Sequence, residues 1–349
     1  MVKASVPILF ARTPHPKPLS MKTRIYLLCR MLIISSAIIL FAPDETKGQQ
    51  SKFEYGFTYG PSNFLGDLGG NAGKGATFLK DLTPSLTHFM TGFNVGYRPF
   101  EFINLRISAN IGKVEGADSL IKGAGGFEEA RKARNQHFRS NIKEAFIAAE
   151  IYPTAFLEYD PGDVMHKIRP YAILGVGVFN FNPQAQFVNP DGSKTWVDLK
   201  PLRTEGQGMP QYPNRKEYKL TQLNIPYGVG VKYFLNYNIA LSFEIVNRKT
   251  FTDYIDDVST NYISNDDFYT YFGEGSEQAK IAIQMANKTA FANGGNYRAG
   301  YGIGSKRGTP TNNDAYFAST MKISIRLGRD EQYQNYGRGG DVKCPIVRF

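Results

Sequence analysis

Three carboxylates, Asp253, Asp256 and Asp257, fall within five residues of one another. Oxygen donors at that density suit Ca²⁺, with carbonyls and water completing the shell. The EF-hand spacing and its glycine are absent, however. The competing reading is a solvated acidic loop in which Asp253 caps a short helix beginning at 252–258. Histidine occurs at positions 15, 88, 137 and 166. None of the four stands at metal-ligand spacing from another or beside a recognisable nucleophile, so no catalytic residue is assigned and no enzyme is expected. Zinc-finger, Walker and RNP patterns are absent. The sequence therefore points to no cofactor, nucleic acid or small-molecule substrate.

A second set of charged residues recurs in period two. Leu105, Ile107, Ala109 and Ile111 alternate with Asn104, Arg106, Ser108 and Asn110. Ile239, Leu241, Phe243 and Ile245 alternate with Asn238, Ala240, Ser242 and Glu244. Met321, Ile323, Ile325 and Leu327 alternate with Lys322, Ser324 and Arg326. Weaker copies lie at 53–60, 89–98, 144–151, 171–178 and 225–233. Alternation of this kind marks strands with one apolar face. The result is eight strands, most of them near the roughly 9–11 residues of a tilted membrane strand. The polar faces carry Glu54, Arg98, Arg106, Glu144, Glu150, Lys232, Glu244, Lys322 and Arg326. In a narrow barrel these four acids and five bases must pair, because an unpartnered buried charge is costly. They are expected to plug the lumen of an eight-stranded barrel.

The connections alternate in length. Long ones lie at 67–87, 115–141, 182–220 and 250–313, and short ones at 99–103, 154–167 and 235–237. Long outer loops and short periplasmic turns are the pattern of outer-membrane barrels, and this arrangement would place both termini in the periplasm. The predicted fold is thus all-β: an antiparallel up-and-down transmembrane barrel of about eight strands. A soluble lipocalin-like barrel shares the alternation with its faces reversed. Glycines and mixed charges on the polar face favour lipid outside, as do aromatics near strand ends (Phe53/Tyr55, Tyr97/Phe100, Tyr233/Phe234). A short charged helix is expected at 127–134.

The N-terminus supports export. Lys22, Arg24 and Arg30 precede an apolar run over 31–42, and a polar stretch leads to plausible cleavage before Gln49. Met21 is the better start. The run is about 12 residues, short of the roughly 20 of a spanning helix; a retained anchor is the alternative. Residues 1–47 hold seven bases and two acids, half of the formal net charge of +10. The remainder is mildly basic, which argues against nucleic-acid binding. The division is then extension and signal over 1–48, barrel over 49–328 and periplasmic tail over 329–349. Cleavage removes Cys29 and leaves Cys344 as the only thiol. An odd cysteine in an oxidising compartment points to an intermolecular bond or a reactive thiol, so Cys344 is the candidate partner contact.

Several strings resemble a family of outer-membrane barrels from Bacteroidota, of the type of the PorG component of the type IX secretion system. They are Phe-Glu-Tyr-Gly…Ser-Asn-Phe-Leu-Gly-Asp-Leu over 53–68, Ile-Arg-Pro-Tyr-Ala-Ile-Leu-Gly-Val-Gly over 168–177, Arg-Lys-Thr-Phe-Thr-Asp-Tyr-Ile-Asp-Asp-Val-Ser over 248–259, and the Lys-Cys-Pro…Phe end. The resemblance implies a non-enzymatic barrel that links a periplasmic secretion ring, protein or lipoprotein, to the outer membrane. A stand-alone surface barrel binding through long loops is the other reading.

Overall fold

Eight segments form strands because their apolar residues recur every second position, and their ends fall where that alternation gives way to polar or turn residues. The computed structural model describes residues 52–69, 84–121, 128–157, 167–236, 238–289 and 299–327. The signal segment, Cys29, His15, His166 and the tail with Cys344 lie outside the described residues.

In chain order the strands are β1 (Phe53–Leu65), β2 (His88–Phe100), β3 (Ile103–Ala117), β4 (His137–Ile151), β5 (Ile168–Asn180), β6 (Pro183–Val188), β7 (Lys194–Asp198), β8 (Thr221–Phe234), β9 (Ile239–Thr250) and β10 (Ala315–Arg326). Eight of them run antiparallel in the order β3-β2-β1-β10-β9-β8-β5-β4, and β3 pairs with β4 to close the ring. The hairpin β6–β7 leaves the wall and rejoins it only at Arg139↔Gln184 and Ser140↔Pro183 of β4. All eight expected strands are present, at the expected short turns.

The apolar face points outward. Val176 is 67% exposed, whereas Glu150 and Lys322 are 0% exposed. This polarity rejects the lipocalin alternative. Aromatic pairs stand near each end of the wall: Phe53 and Tyr97 at 5.2 Å, and Tyr59 and Phe89 at 5.1 Å. Among the described residues no helix is long and apolar enough to cross a membrane.

The long-loop end departs from the sequence-based expectation. Strands continue past the apolar band: β4 starts at His137 rather than near 144, and β10 at Ala315 rather than near 321. Backbone pairing persists there, but the outward residues turn polar (Asn141, Ser319), so the hydrophobic alternation fades before the strand does. The expected loops 182–220 and 250–313 are largely folded. They carry β6, β7 and two helices, α2 (Asn265–Phe272) and α3 (Glu277–Ala286), while α1 (Glu128–Arg134) sits in the second connection. Ser264 and Ser276 cap α2 and α3 by accepting from Asp266 N–H and Ala279 N–H. No helix forms at 252–258, which is irregular and buried. The helices and loops bury a soluble-type core over the barrel mouth. Phe64, Val114, Phe138 and Phe179 rise from the wall, and Ile255, Phe268, Ala282 and Met285 descend from the cap.

Candidate functional site: a filled lumen and its two ends

The lumen is built from inward positions of all eight wall strands, and its charges meet across the barrel. Glu150 of β4 accepts from Asn104 at 2.7 Å, Arg106 at 2.7 Å, the Tyr152 hydroxyl at 2.5 Å and Lys322 at 2.8 Å. Glu244 of β9 shares the same two cations, Arg106 at 2.7 Å and Lys322 at 2.6 Å, and accepts from the Tyr171 hydroxyl at 2.6 Å. Nearer the short-turn end, Glu54 holds Lys232 at 2.6 Å and Arg98 at 3.5 Å. Nearer the cap, Glu144 accepts from Asn110 at 2.9 Å, Asn224 at 2.7 Å, Tyr316 at 3.0 Å and Arg248 at 3.2 Å.

Eight of the nine expected lumen residues are buried in this network. Arg326 stands at its rim, half-buried, with its guanidinium 6.0 Å from the Phe234 ring. Arg248, Tyr152, Tyr171 and Tyr316 belong to the network and were absent from the expected set. Arg248 shares the parity of Glu244, so carrying the period-two pattern four residues further would have found it. Glycines make room for the plug: a Cβ at Gly230 would lie 2.6 Å from Tyr171 Cζ. The lumen is therefore a packed ionic core rather than a passage.

The acidic trio does not form one site. Asp257 accepts from the Tyr218 hydroxyl at 2.8 Å and from the Thr204 hydroxyl, in a network with Glu205 and Arg307. Burial pushes its carboxyl up to about 6, against the opposing pull of Arg307. Asp253 and Asp256 instead lie within electrostatic reach of Asp67 and Asp314. Asp256 accepts from Leu68 N–H at 3.0 Å and Val258 N–H at 2.9 Å, and Asp314 from Ile255 N–H at 2.8 Å. Both expected pictures, the Asp253–Asp256–Asp257 calcium loop and the solvated loop, are thus corrected: the cap core engulfs the segment and splits the trio. Sequence spacing pointed to the local triplet and missed Asp67 and Asp314, which are distant in the chain.

The histidines stay apart. His88 Nε2 lies 2.5 Å from Glu115 Oε2, while His137 receives the Gln186 N–H at 2.9 Å and touches Lys288. Burial pushes Lys288 down to about 7.

At the short-turn end the turns expose a run of aromatics. Phe100, Phe102 and Phe156 stack in sequence, 5.5 Å and 5.2 Å between centroids, and Phe156 is 66% exposed. Leu157 and Leu235 are also exposed. Beside them Arg98 and Arg169 flank Phe234 and hold Glu101 at 3.9 Å and 3.0 Å.

A closed eight-stranded antiparallel barrel, apolar outside and charged inside, defines the class of this chain: a membrane-spanning β-barrel of the outer-membrane type. No protein-family model matches it, and no curated protein matches it. Among solved structures it is similar to Ail, the attachment invasion locus protein of Yersinia pestis, in complex with the heparin analogue sucrose octasulfate. That match has 6% identity, covers 80% of this chain and 100% of that one, and has a TM-score of 0.33. Neisserial surface protein A matches at 8% identity over 80% and 99%, TM-score 0.32. A major outer membrane protein from Thermus thermophilus matches at 10% identity over 79% and 99%, TM-score 0.33. Likenesses this distant carry no argument about function; the class rests on the closure and polarity of the barrel itself.

Proposed function

We propose that the protein is a non-enzymatic barrel of a bacterial outer membrane that docks a periplasmic partner complex, in the manner of a type IX secretion-system component. In this reading the cap faces outward and the short turns face the periplasm. The observation that carries it is the stacked, exposed Phe100–Phe102–Phe156 run with Leu157 on the short turns. Exposed aromatics flanked by arginine are the side chains that most often anchor protein interfaces. The filled lumen favours anchoring over transport. Cys344, on the tail outside the described residues, would lie on the same side and supply a covalent or close contact to that partner.

The test is a photo-crosslinking residue placed at Phe102 or Leu157 in the full chain in its native membrane. Crosslinks to a periplasmic protein or lipoprotein support docking. Adducts to phospholipid alone would assign these aromatics to the interfacial girdle and refute it. Non-reducing gels of wild type and Cys344→Ser test the tail: a higher-mass band that depends on Cys344 supports the link. The folded cap favours a second reading, a surface-binding barrel. It predicts that removing the β6–β7 hairpin abolishes binding to an extracellular ligand and leaves crosslinks at Phe102 unchanged.

A further inference from the structure

The outer wall is not evenly filled. Paired residues form rows across the strands, and one row dips. Phe57 on β1 faces Phe93 on β2, Phe93 faces Ala109 on β3, Ala109 faces Ala145 on β4, and Ala145 faces Val178 on β5. All five are exposed on the outward face. The two alanines make a floor between the phenylalanines on one side and Val178 on the other. The next row toward the short turns is full again, where Ile107 faces Ile147 and both stand out from the wall. The result is a concave apolar groove of about 550 Å³, lined by this row together with Ile111 and Lys143.

The end of the groove nearer the cap is charged. Lys143 faces Ile111 and Asn180 in the adjoining row, and Asn180 faces Thr221. Lys143 is two residues from Ala145 on β4, a step of roughly 7 Å along a strand. Lys113 stands one row further on β3, opposite Asn141, and is the diagonal neighbour of Lys143. Diagonal neighbours on one face lie about 7–8 Å apart, within common reach of one phosphate. Neither lysine is in an ion pair with another described residue. The acid beside them on this face, Glu115, is taken by His88 at 2.5 Å. Arg139, opposite Glu115, places its guanidinium 3.6 Å from the Trp196 ring centre and donates to Gln184. The Thr221 hydroxyl lines the groove and accepts from Asn180 at 3.0 Å, which leaves its proton for another acceptor. Two cations and a hydroxyl donor thus stand where the apolar band gives way to polar residues.

We propose that this groove binds one acidic phospholipid of the surrounding membrane, with an acyl chain over Ala109 and Ala145 and the phosphate headgroup held by Lys143 and Lys113. Position argues for a lipid over another protein. The groove opens on the lipid-facing wall of a membrane-spanning barrel, and its lysines lie at the edge of the apolar band, where side chains of this kind reach headgroups. A floor of two methyl groups between aromatic and aliphatic walls matches an acyl chain. Two lysines without acidic partners match an anionic headgroup, and each is worth about fivefold in affinity beside an anionic lipid. The dent and the charge select together: the dent holds the chain, and the lysines choose the headgroup. The site depends only on the barrel crossing a membrane, and not on what docks at the short turns.

The experiment uses the full purified chain in nanodiscs of equimolar phosphatidylglycerol and phosphatidylcholine with identical acyl chains. The barrel is released into mild detergent, and the lipid that stays bound is counted by native mass spectrometry. One phosphatidylglycerol per barrel, preferred about twentyfold as the product of two such lysines, is the expected result. Lys143→Gln and Lys113→Gln should each cut the preference about fivefold. Ala109→Leu combined with Ala145→Leu fills the floor. It should lower retention of both lipids several-fold and leave the far-UV circular dichroism of the wall unchanged. Lys249→Gln, exposed on β9 three strands from β4 around the ring, should behave as wild type. Equal retention of the two lipids by the wild type overturns the site, as does a preference that survives both lysine substitutions. Undiminished retention in the double leucine variant overturns the groove. A dimer mass that disappears in that variant would make a second copy the occupant and overturn the lipid.

Discussion

Replacing Glu54 with Gln should be among the most damaging single changes in the lumen, and the ion-pair geometry says why. Lys232 Nζ sits 2.6 Å and 2.7 Å from the two Glu54 oxygens and is fully buried. Its next acceptor is the Tyr152 hydroxyl at 3.4 Å. Glu54→Gln strands an ammonium in the barrel core, a loss of about 3–5 kcal/mol. Glu150→Gln removes a carboxylate with more partners yet should cost less. Its two cations keep Glu244, at 2.7 Å for Arg106 and 2.6 Å for Lys322, so the loss is nearer the about 2 kcal/mol of a charged hydrogen bond. Lys232→Met on the Glu54→Gln background removes the stranded charge. The double variant should then recover up to about 3 kcal/mol relative to the sum of the singles. The assay is reversible urea unfolding in detergent, followed by far-UV circular dichroism for the wall. Fluorescence of the single Trp196, on β7, follows the cap separately. Equal losses for Glu54→Gln and Glu150→Gln, or strict additivity in the double variant, would mean that water screens the lumen and that the packed ionic core is wrong.

The same core predicts no steady open channel when the protein is reconstituted in planar bilayers; a large, persistent conductance would contradict it. Cap stability should depend on pH through Asp257. Burial raises its folded value from 3.8 to about 6, so its contribution is complete below about 3.8 and is lost as pH rises through about 6. Trp196 unfolding curves across that window should show this slope, and Asp257→Asn should reduce it without abolishing it, because burial also raises Asp253 to about 8. Topology can be read at the exposed β6–β7 tip, residues 190–194. In a Cys344→Ser background, Asp191→Cys should react with an impermeant maleimide on intact cells while Leu157→Cys stays protected. The reverse pattern would invert the barrel.

The wall was legible from sequence because its information is local. Alternation in stretches such as 104–111 and 238–245 records, residue by residue, which side meets lipid and which side meets the lumen. The sorting of connections into long and short needs only their lengths. Eight strands, the short turns and nearly all the lumen charges follow from these two signals. The strand extensions escaped because the outward residues beyond the lipid band are polar, which erases the contrast while leaving the backbone ladder intact. The folded cap escaped because the cores of α2 and α3 are small and are completed by residues of the wall such as Phe138.

The tertiary structure alone decided who pairs with whom. Glu54 and Lys232 are 178 residues apart, and Glu150 and Lys322 are 172 apart. Those pairings depend on the closure of β3 on β4 and on the register around the ring, and no periodicity within one strand carries that information. The same holds for the acidic cap. Adjacency in the chain grouped Asp253, Asp256 and Asp257, whereas folding sent Asp257 to Arg307 and gathered Asp67 and Asp314 around the other two. Alternation sets which face a side chain takes because each residue's environment is fixed by its own strand. Charge pairing is set by three-dimensional distance, which only the closed barrel and its docked loops define.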